Sequence, residues 1–409
     1  MSFIQLNLIE PLEKAVAKQG YTEPTPIQSK AIPELLKGRD LIGIAQTGTG
    51  KTAAFVLPIL QRMTEKNSRT IRTLILAPTR ELAAQIGESF SAYGAFLRFK
   101  HTVIFGGVSQ GPQVNALSRG VDIVIATPGR LLDLMNQGIL SLNGIEFFVL
   151  DEADRMLDMG FINDIRKIIA RLPQRRQSLF FSATMSPQIN DLAGKLLKNP
   201  VHVEAAVQAT PVESVKQCVF FVDSANKEKL LLTLLRQEHL TRVLVFTRTK
   251  HRANKLALYL HQNNIRVDAI HGNKSQNART QAIHDFKSGK IKVLVATDIA
   301  ARGIDIDCIS HVINFELPNE PENYIHRIGR TARAGAKGTA YSFCAADERS
   351  FLHDIEKLIR QKIEVMQHAY HSEQAKNAVG AAAKPAPRQQ RSFHRGFKSK
   401  FKHRGSFRR

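Results

Sequence analysis

The stretch Leu41-Ile42-Gly43-Ile44, followed by Ala45-Gln46-Thr47-Gly48-Thr49-Gly50-Lys51-Thr52, admits few folds. Its four opening residues read as a short buried strand, Gly48 and Gly50 supply a tight turn, and Ala53-Ala54-Phe55-Val56-Leu57 reads as the start of a helix. A strand, a glycine-rich turn and a helix opening with Lys-Thr make an anion site, because backbone N–H groups and the positive end of the helix dipole converge on one point. In such a site Lys51 reaches the β- and γ-phosphates of a nucleoside triphosphate, and the Thr52 hydroxyl holds Mg²⁺. The alternative is a Gly/Thr turn that only caps a helix. The full P-loop pattern also begins with glycine, where this chain has Ala45.

The same punctuation recurs along the chain. Pro24-Thr25-Pro26 separates a helix near 8–19 from one near 27–37. Beyond them, β-rich runs at 41–45, 73–77, 101–105, 122–126, 146–150, 177–181 and 201–204 alternate with amphipathic helical stretches. That alternation predicts βαβ units and a mostly parallel sheet. Residues 205–215 are small, polar and Pro-containing and read as a linker. The pattern then restarts at 217–222, 242–247, 266–270, 291–296, 311–315 and 339–343, and residues 347–366 suit a terminal helix. Two α/β runs of similar length suggest two similar sheets, without a repeat strong enough to prove duplication. Beyond Glu373 the composition turns to Ala, Pro, Gly, Ser, Arg, Lys and Phe, which predicts a disordered tail, here bounded at 367–409.

A second chemical feature lies at 151–154. The apolar run Phe147-Phe148-Val149-Leu150 leads directly into Asp151-Glu152-Ala153-Asp154, and open α/β sheets bind ligands at the carboxyl ends of such strands. A bound nucleotide needs one carboxylate for its metal and another to orient or deprotonate the attacking water. Asp151 suits the Mg²⁺ role and Glu152 the water role. The alternative is an acidic first turn favoured by the helix dipole.

Charge points to the partner. The chain carries a formal +22, and residues 374–409 contribute 11 Lys or Arg and no acidic residue. Such an excess favours a polyanion. Cys218, Cys308 and Cys344 form no CxxC pair, which argues against a zinc site and fits a reducing compartment. The N-terminal Met-Ser-Phe-Ile-Gln lacks the features of a signal peptide, and no apolar run approaches the roughly 20 residues that span a bilayer. The expectation is a soluble, cytoplasmic protein.

The order of motifs resembles the DEAD-box ATP-dependent RNA helicases of superfamily 2. It runs through Gly20-Tyr21-Thr22-Glu23-Pro24-Thr25-Pro26-Ile27-Gln28, the Ala45–Thr52 loop, Pro78-Thr79-Arg80-Glu81-Leu82, Gly106-Gly107, Thr127-Pro128-Gly129-Arg130, Asp151–Asp154 and Ser182-Ala183-Thr184. It continues with Phe246, Gln276 with Arg279, Ala296-Thr297-Asp298 through Ala301-Arg302-Gly303-Ile304-Asp305, and His326-Arg327-Ile328-Gly329-Arg330-Thr331-Ala332-Arg333. The family normally has Ala at the first P-loop position, so Ala45 conforms, whereas Ala332 stands where many relatives have Gly. The short N terminus and basic tail look most like the bacterial RhlE-type branch.

This resemblance implies two tandem RecA-like domains, residues 1–205 and 216–366, joined by a linker at 206–215 and followed by a disordered basic tail at 367–409. It implies ATP and Mg²⁺ as cofactors. Tyr21, Gln46, Thr47, Gly48, Thr49 and Gly50 join Lys51 and Thr52 in the ATP site, Phe3 stacks on the base and Asp305 reaches the ribose. The Gln28 amide, which donates and accepts at once, matches the N7/N6 edge of adenine. Arg330 and Arg333 are implied as arginine fingers crossing a cleft, and Ser182 and Thr184 as couplers, for which a helix cap is the alternative. RNA-contacting positions are Thr79, Arg80, Gly107, Thr127 and Arg130 in the first domain, with Gln276, Arg279 and Thr297 in the second. Their types meet phosphates and 2′-OH groups without reading sequence.

The expected activity is RNA-stimulated ATP hydrolysis coupled to local, non-processive unwinding by a monomer. Ribosome assembly and RNA decay both lie within the family's range, with ribonucleoprotein partners. An ATP-gated RNA clamp and a DNA helicase are the rival readings. In the tail, Phe393, Phe397, Phe401 and Phe407 are interleaved with Lys and Arg, which suits an auxiliary RNA contact. A merely solubilising tail is the alternative.

Overall fold

The computed structural model describes residues 2–45, 48–64, 70–204, 211–237, 240–301, 309–331 and 338–384. The first sheet is built from β1 (Leu41–Ile44), β2 (Thr73–Leu76), β3 (His101–Ile104), β4 (Ile123–Ala126), β5 (Phe147–Leu150), β6 (Gln177–Ser182) and β7 (Val201–Glu204). The second holds β8 (Val215–Phe221), β9 (Val243–Phe246), β10 (Val267–Ile270), β11 (Val293–Ala296), β12 (His311–Asn314), β13 (Gly338–Cys344) and β14 (Glu364–Val365). Thirteen of these fourteen strands fall within two residues of the predicted runs.

The strand orders are β3-β4-β2-β5-β6-β1-β7 and β10-β11-β9-β12-β13-β8-β14, and every pairing is parallel. Subtracting seven from each label of the second order reproduces the first. The same topology therefore occurs twice, a duplication that the sequence pattern suggested without proving.

Parallel strands need helical crossovers on both faces, so their side chains are buried on both sides. The core follows that rule at single-residue resolution. Phe147, Val149, Leu179 and Phe181 point to the layer containing Phe55, Ile86 and Phe90. Phe148, Leu150 and Phe180 point to the opposite layer, with Leu131, Met156 and Ile165. Gly43 in β1 is required by this packing, because a Cβ there would lie 2.5 Å from the Phe181 ring. Phe148 is fully buried, and its truncation to Ala would cost about 3–5 kcal/mol.

Two boundaries differ from expectation. Residues 205–210 of the predicted linker lie outside the described residues, and Pro211–Ser214 form a helical turn that runs straight into β8. The predicted disordered tail also begins too early. After the helix Arg349–Ile359, β14 pairs with Cys218 and Val219 of β8, and the Met366 and Ser372 amides donate to the Val219 and Phe221 carbonyls, each at 2.9 Å. Ser372 Oγ donates to Asp223 at 2.6 Å, and Ala375 is fully buried. Low apolar content could not form a core by itself, but backbone pairing and a small alanine bind this strap to an existing sheet. Residues 385–409 lie outside the described residues.

Candidate active site and nucleic-acid cleft

The carboxyl ends of β1, β5 and β6, which lie side by side, carry the chemistry. Gly48 and Gly50 adopt φ of 86° and 90°, in the left-handed region that glycine enters without strain. A Cβ on Gly50 would meet the Gln28 amide nitrogen at 2.5 Å, so only glycine lets the turn close on its neighbour. Lys51 opens the helix Lys51–Met63 and is 6% exposed, yet its Nζ has no hydrogen-bond partner among the described residues. Thr52 beside it is half-buried.

Asp151, 2% exposed, likewise has its Oδ1 buried without a partner among the described residues. Burial pushes its carboxyl up to about 6, against the opposing pull of the Lys51 charge. A buried cation and a buried carboxylate oxygen, both unsatisfied at the mouth of a glycine turn, fit a polyphosphate with a divalent cation.

Glu152 has φ 54° and ψ 53°. A non-glycine residue there costs on the order of 1–2 kcal/mol. The strained turn sits between β5 and the helix Ala153–Asp158, and Arg155 Nη1 holds Glu152 Oε2 at 2.6 Å. The side chain is thus fixed beside Asp151 and does not cap the helix as an ordinary acidic first turn would.

Asp154 binds the neighbouring strand end. Its Oδ2 accepts from the Ala183 amide at 3.1 Å, the Thr184 amide at 3.0 Å and the Thr184 hydroxyl at 3.2 Å. Ser182 Oγ, fully buried, donates to the Thr184 carbonyl at 2.7 Å. Neither residue is a helix cap; Ser186 takes that position for the helix Pro187–Leu196.

The predicted adenine contacts fare unevenly. Gln28 accepts from the Thr25 amide at 2.9 Å and donates to the Gly50 carbonyl at 3.1 Å, tying the first helix layer to the glycine turn. One N–H and one lone pair of the amide remain for another partner. Phe3 is 7% exposed and packs into the core beside Leu6 and Leu8, so its ring faces side chains. Tyr21 is 53% exposed. Its hydroxyl pairs with Tyr93, at the far end of the helix Arg80–Tyr93, about 20 Å along the axis from the strand ends. Gln46, Thr47, Asp305 and Arg333 lie outside the described residues.

Of the RNA-type positions, Thr79, Arg80, Thr127, Arg130 and Arg279 line a cleft of about 530 Å³ bordered by loops of both sheets, whereas Gly107, Gln276 and Thr297 are not among its lining residues. Thr79 caps the helix Arg80–Tyr93, accepting from the Leu82 amide at 3.3 Å, and Thr127 precedes the helix Pro128–Asn136. Gly107, at φ 75°, lies so close to Arg80 that a Cβ would sit 2.1 Å from its guanidinium. Arg130 donates to the Val108 carbonyl at 3.1 Å, while its Nη1 is buried without a partner among the described residues. Arg80 Nη1 donates to Gln276 Oε1 at 3.3 Å, across to the second sheet. Burial, reinforced by the nearby Arg279 charge, lowers the Arg80 pKa. Thr297 stands at the carboxyl end of β11, where its carbonyl accepts from Ala300 and Ala301.

Sequence reasoning missed the residue that joins the halves. Glu81 Oε1 accepts from Gln276 Nε2 at 3.0 Å and faces Arg279 Nη2 at 2.9 Å. The missed residues Asp154 and Arg155 hold the strand ends together. A charge flanked by the predicted Arg80 was the available signal for Glu81, but its partners lie some 195 positions away. In the second unit Arg330 is 5% exposed, with its Nε donating to the His326 carbonyl at 3.3 Å. Arg327 anchors that helix through Asp298, at 2.6 and 2.8 Å.

Comparison with known proteins agrees with this geometry. Residues 25–192 match the DEAD/DEAH box helicase family and residues 226–335 the helicase conserved C-terminal domain. The DEAD-box ATP-dependent RNA helicase CshA of Geobacillus kaustophilus is 42% identical over 89% of this chain and 78% of its own length. The chain belongs to the DEAD-box helicase family. For this helicase the bacterial relatives found carry the CshA name, as does that of Bacillus subtilis, so they support the family and not the RhlE-type branch expected from the tail. Among solved structures, Mss116p bound to ssRNA and AMP-PNP covers 94% of the chain and 83% of its own, at TM-score 0.81 and 29% identity. Dbp5 of S. cerevisiae bound to RNA and ADP BeF3 covers 90% of the chain and 95% of its own, at TM-score 0.78 and 34% identity.

Proposed function

We propose that this DEAD-box helicase hydrolyses ATP in response to RNA and uses the cycle to separate short duplexes locally. The observation that carries this reading is the cleft shared by the two units. Arg80 and Arg130 from the first and Arg279 from the second line one cavity. The CshA relatives are named as ATP-dependent RNA helicases, and the Dbp5 structure holds RNA with ADP BeF3.

In this mechanism the glycine turn and the Lys51 ammonium hold the β- and γ-phosphates of the substrate. Thr52 and Asp151 suit Mg²⁺, which when bound would neutralise phosphate charge. Glu152, its carboxylate fixed by Arg155, takes the proton of the water that attacks the γ-phosphorus as the bond to the β-phosphate oxygen breaks. Arg330, and Arg333 with it, supply positive charge to the transferring phosphoryl group from the second unit, a role worth about 10³–10⁵ in rate in related NTPases. Asp154 relays the state of this site to Ser182 and Thr184. On the other side Thr79, Gly107, Thr127, Gln276 and Thr297 meet RNA by backbone and 2′-OH contacts. We assign residues up to 205 to the first domain, residues 211–384 to the second, and a monomer in the cytoplasm as the working form.

ATP turnover and displacement of a short RNA duplex, measured together with RNA or single-stranded DNA, test this reading. RNA-specific stimulation with ATP-dependent displacement is expected. Equal stimulation by DNA would overturn the RNA assignment, and RNA grip without displacement would make the protein a clamp.

A further inference from the structure

The cleft has an apolar side that none of the phosphate- and ribose-type contacts uses. Met159 and Phe161 line the same cavity as Arg80, Arg130 and Arg279. They flank Gly160, whose φ of 79° turns the chain sharply between the helices Ala153–Asp158 and Ile162–Ile169. Both ends of the turn are tied down. The Phe161 amide donates to the Met156 carbonyl at 3.0 Å, and its own carbonyl accepts from Ile165 at 2.9 Å. Phe161 leans on the apolar layer around Met156 and Ile165 while remaining half-exposed. The shelf is therefore rigid before any ligand arrives.

Cationic groups line the same cleft. Arg279 is 9% exposed, and among the described residues its Nε is buried without a hydrogen-bond partner, as is Arg130 Nη1. Gly106, Gly129 and Gly272 border the cavity with nothing within 4 Å of where a Cβ would stand, which leaves room for a nucleotide to approach the backbone. Asp133 also lines the cleft, with its carboxylate 3.7 Å from Arg130 Nε, and it disfavours a second phosphate on that side. A ligand that is anionic at one end and flat and apolar at the other fits these walls. A nucleotide has that form, and a volume of about 530 Å³ is within the range of small-ligand sites.

We propose that Met159 and Phe161 form a shelf for one nucleobase of the bound strand, while Arg80, Arg130 and Arg279 hold its phosphate. This goes deeper into the RNA reading above and rests on it. A base seated on the shelf is withdrawn from stacking with its neighbours, so the strand leaves the cleft bent. Every base has a flat face, so the shelf tolerates sequence but requires a base to be present.

The test scans a single-stranded RNA with one abasic nucleotide, placed at each position in turn, against the full-length protein with a non-hydrolysable ATP analogue. Wild type should lose affinity about fivefold to a hundredfold at one position, from the usual worth of a base on an aromatic ring. Met159→Ala and Phe161→Leu, confirmed folded by thermal melting, should bind intact RNA more weakly and lose the penalty at that position. A flat scan in wild type, or an unchanged penalty in both variants, overturns the shelf. If RNA-stimulated ATP turnover survives in that case, the function proposed above stands and only the shelf falls; absent RNA stimulation would instead remove the RNA reading itself.

Discussion

Glu81 Oε1 lies 2.9 Å from Arg279 Nη2, and this pair joins the two duplicated sheets across the cleft. Its side chains are 5% and 11% exposed, so water does little to screen them. The same carboxylate oxygen holds Gln276, which in turn holds Arg80. A charge-assisted bond of this kind contributes about 1.5–3 kcal/mol. The contacts therefore link Arg80 and Glu81 of one unit to Gln276 and Arg279 of the other.

Glu81→Gln keeps the shape and removes the charge. RNA-stimulated kcat/KM is predicted to fall roughly tenfold to a hundredfold, the rate equivalent of that bond. Combining Glu81→Gln with Arg279→Ala in a double-mutant cycle should return a coupling of about 1.5–3 kcal/mol. Strict additivity would mean that the pair transmits nothing.

Asp154 and Thr184 make the corresponding connection at the nucleotide side. Thr184→Ala removes one of three bonds to Asp154 Oδ2 and should cost under about 1 kcal/mol in stability. Its predicted effect is on coupling, with duplex displacement per ATP hydrolysed falling severalfold. A parallel loss of both rates would place Thr184 in chemistry instead.

Asp151 gives the free protein an unusual pH dependence. With its carboxyl pushed up to about 6 from 3.8, the folded state keeps a proton that the unfolded chain has released between those values. By linkage this stabilisation is full below the unfolded pKa and is lost as pH rises through about 6. Asp151→Asn fixes the neutral form. Without nucleotide, it should be more stable than wild type at pH near 8 by about 2–3 kcal/mol, with the gain shrinking towards pH 5, while ATP turnover is lost. Thermal melts across that range decide it, and a variant destabilised at the alkaline end contradicts the account.

The C-terminal boundary separates packing from charge. Truncation after Lys384 removes nine Lys or Arg and no acidic residue, and none of the packed strap. It should leave the melting temperature unchanged and reduce the slope of log affinity for single-stranded RNA against log salt by up to roughly 6. Truncation after Met366 also removes the Ser372 bonds and buried Ala375, and is predicted to lower the melting temperature. An unchanged salt slope in the shorter cut would leave the tail a solubilising segment.

What was legible beforehand follows from how local each signal is. Strands such as Phe147–Leu150 advertise themselves by four consecutive apolar residues, and the glycine turn by its spacing. Glu364–Val365 has only two residues and no pattern, since its pairing depends on β8 being in place. Glu81 and Asp154 are ordinary helical acids until the fold brings Arg279 and Thr184 to them. Phe3 and Tyr21 depend on the fold as well. Both are aromatic and near the site in sequence, yet packing buries the Phe3 ring and carries Tyr21 to Tyr93.

The central claim is an active site completed by both domains, and Arg330→Ala tests it most directly. Turnover is measured at ATP and RNA concentrations shown by binding to be saturating for that variant. The account predicts that both ligands still bind and that turnover falls by about a thousandfold or more, the usual worth of an arginine finger. Turnover within a few-fold of wild type would mean that the first domain hydrolyses ATP alone, and would contradict it.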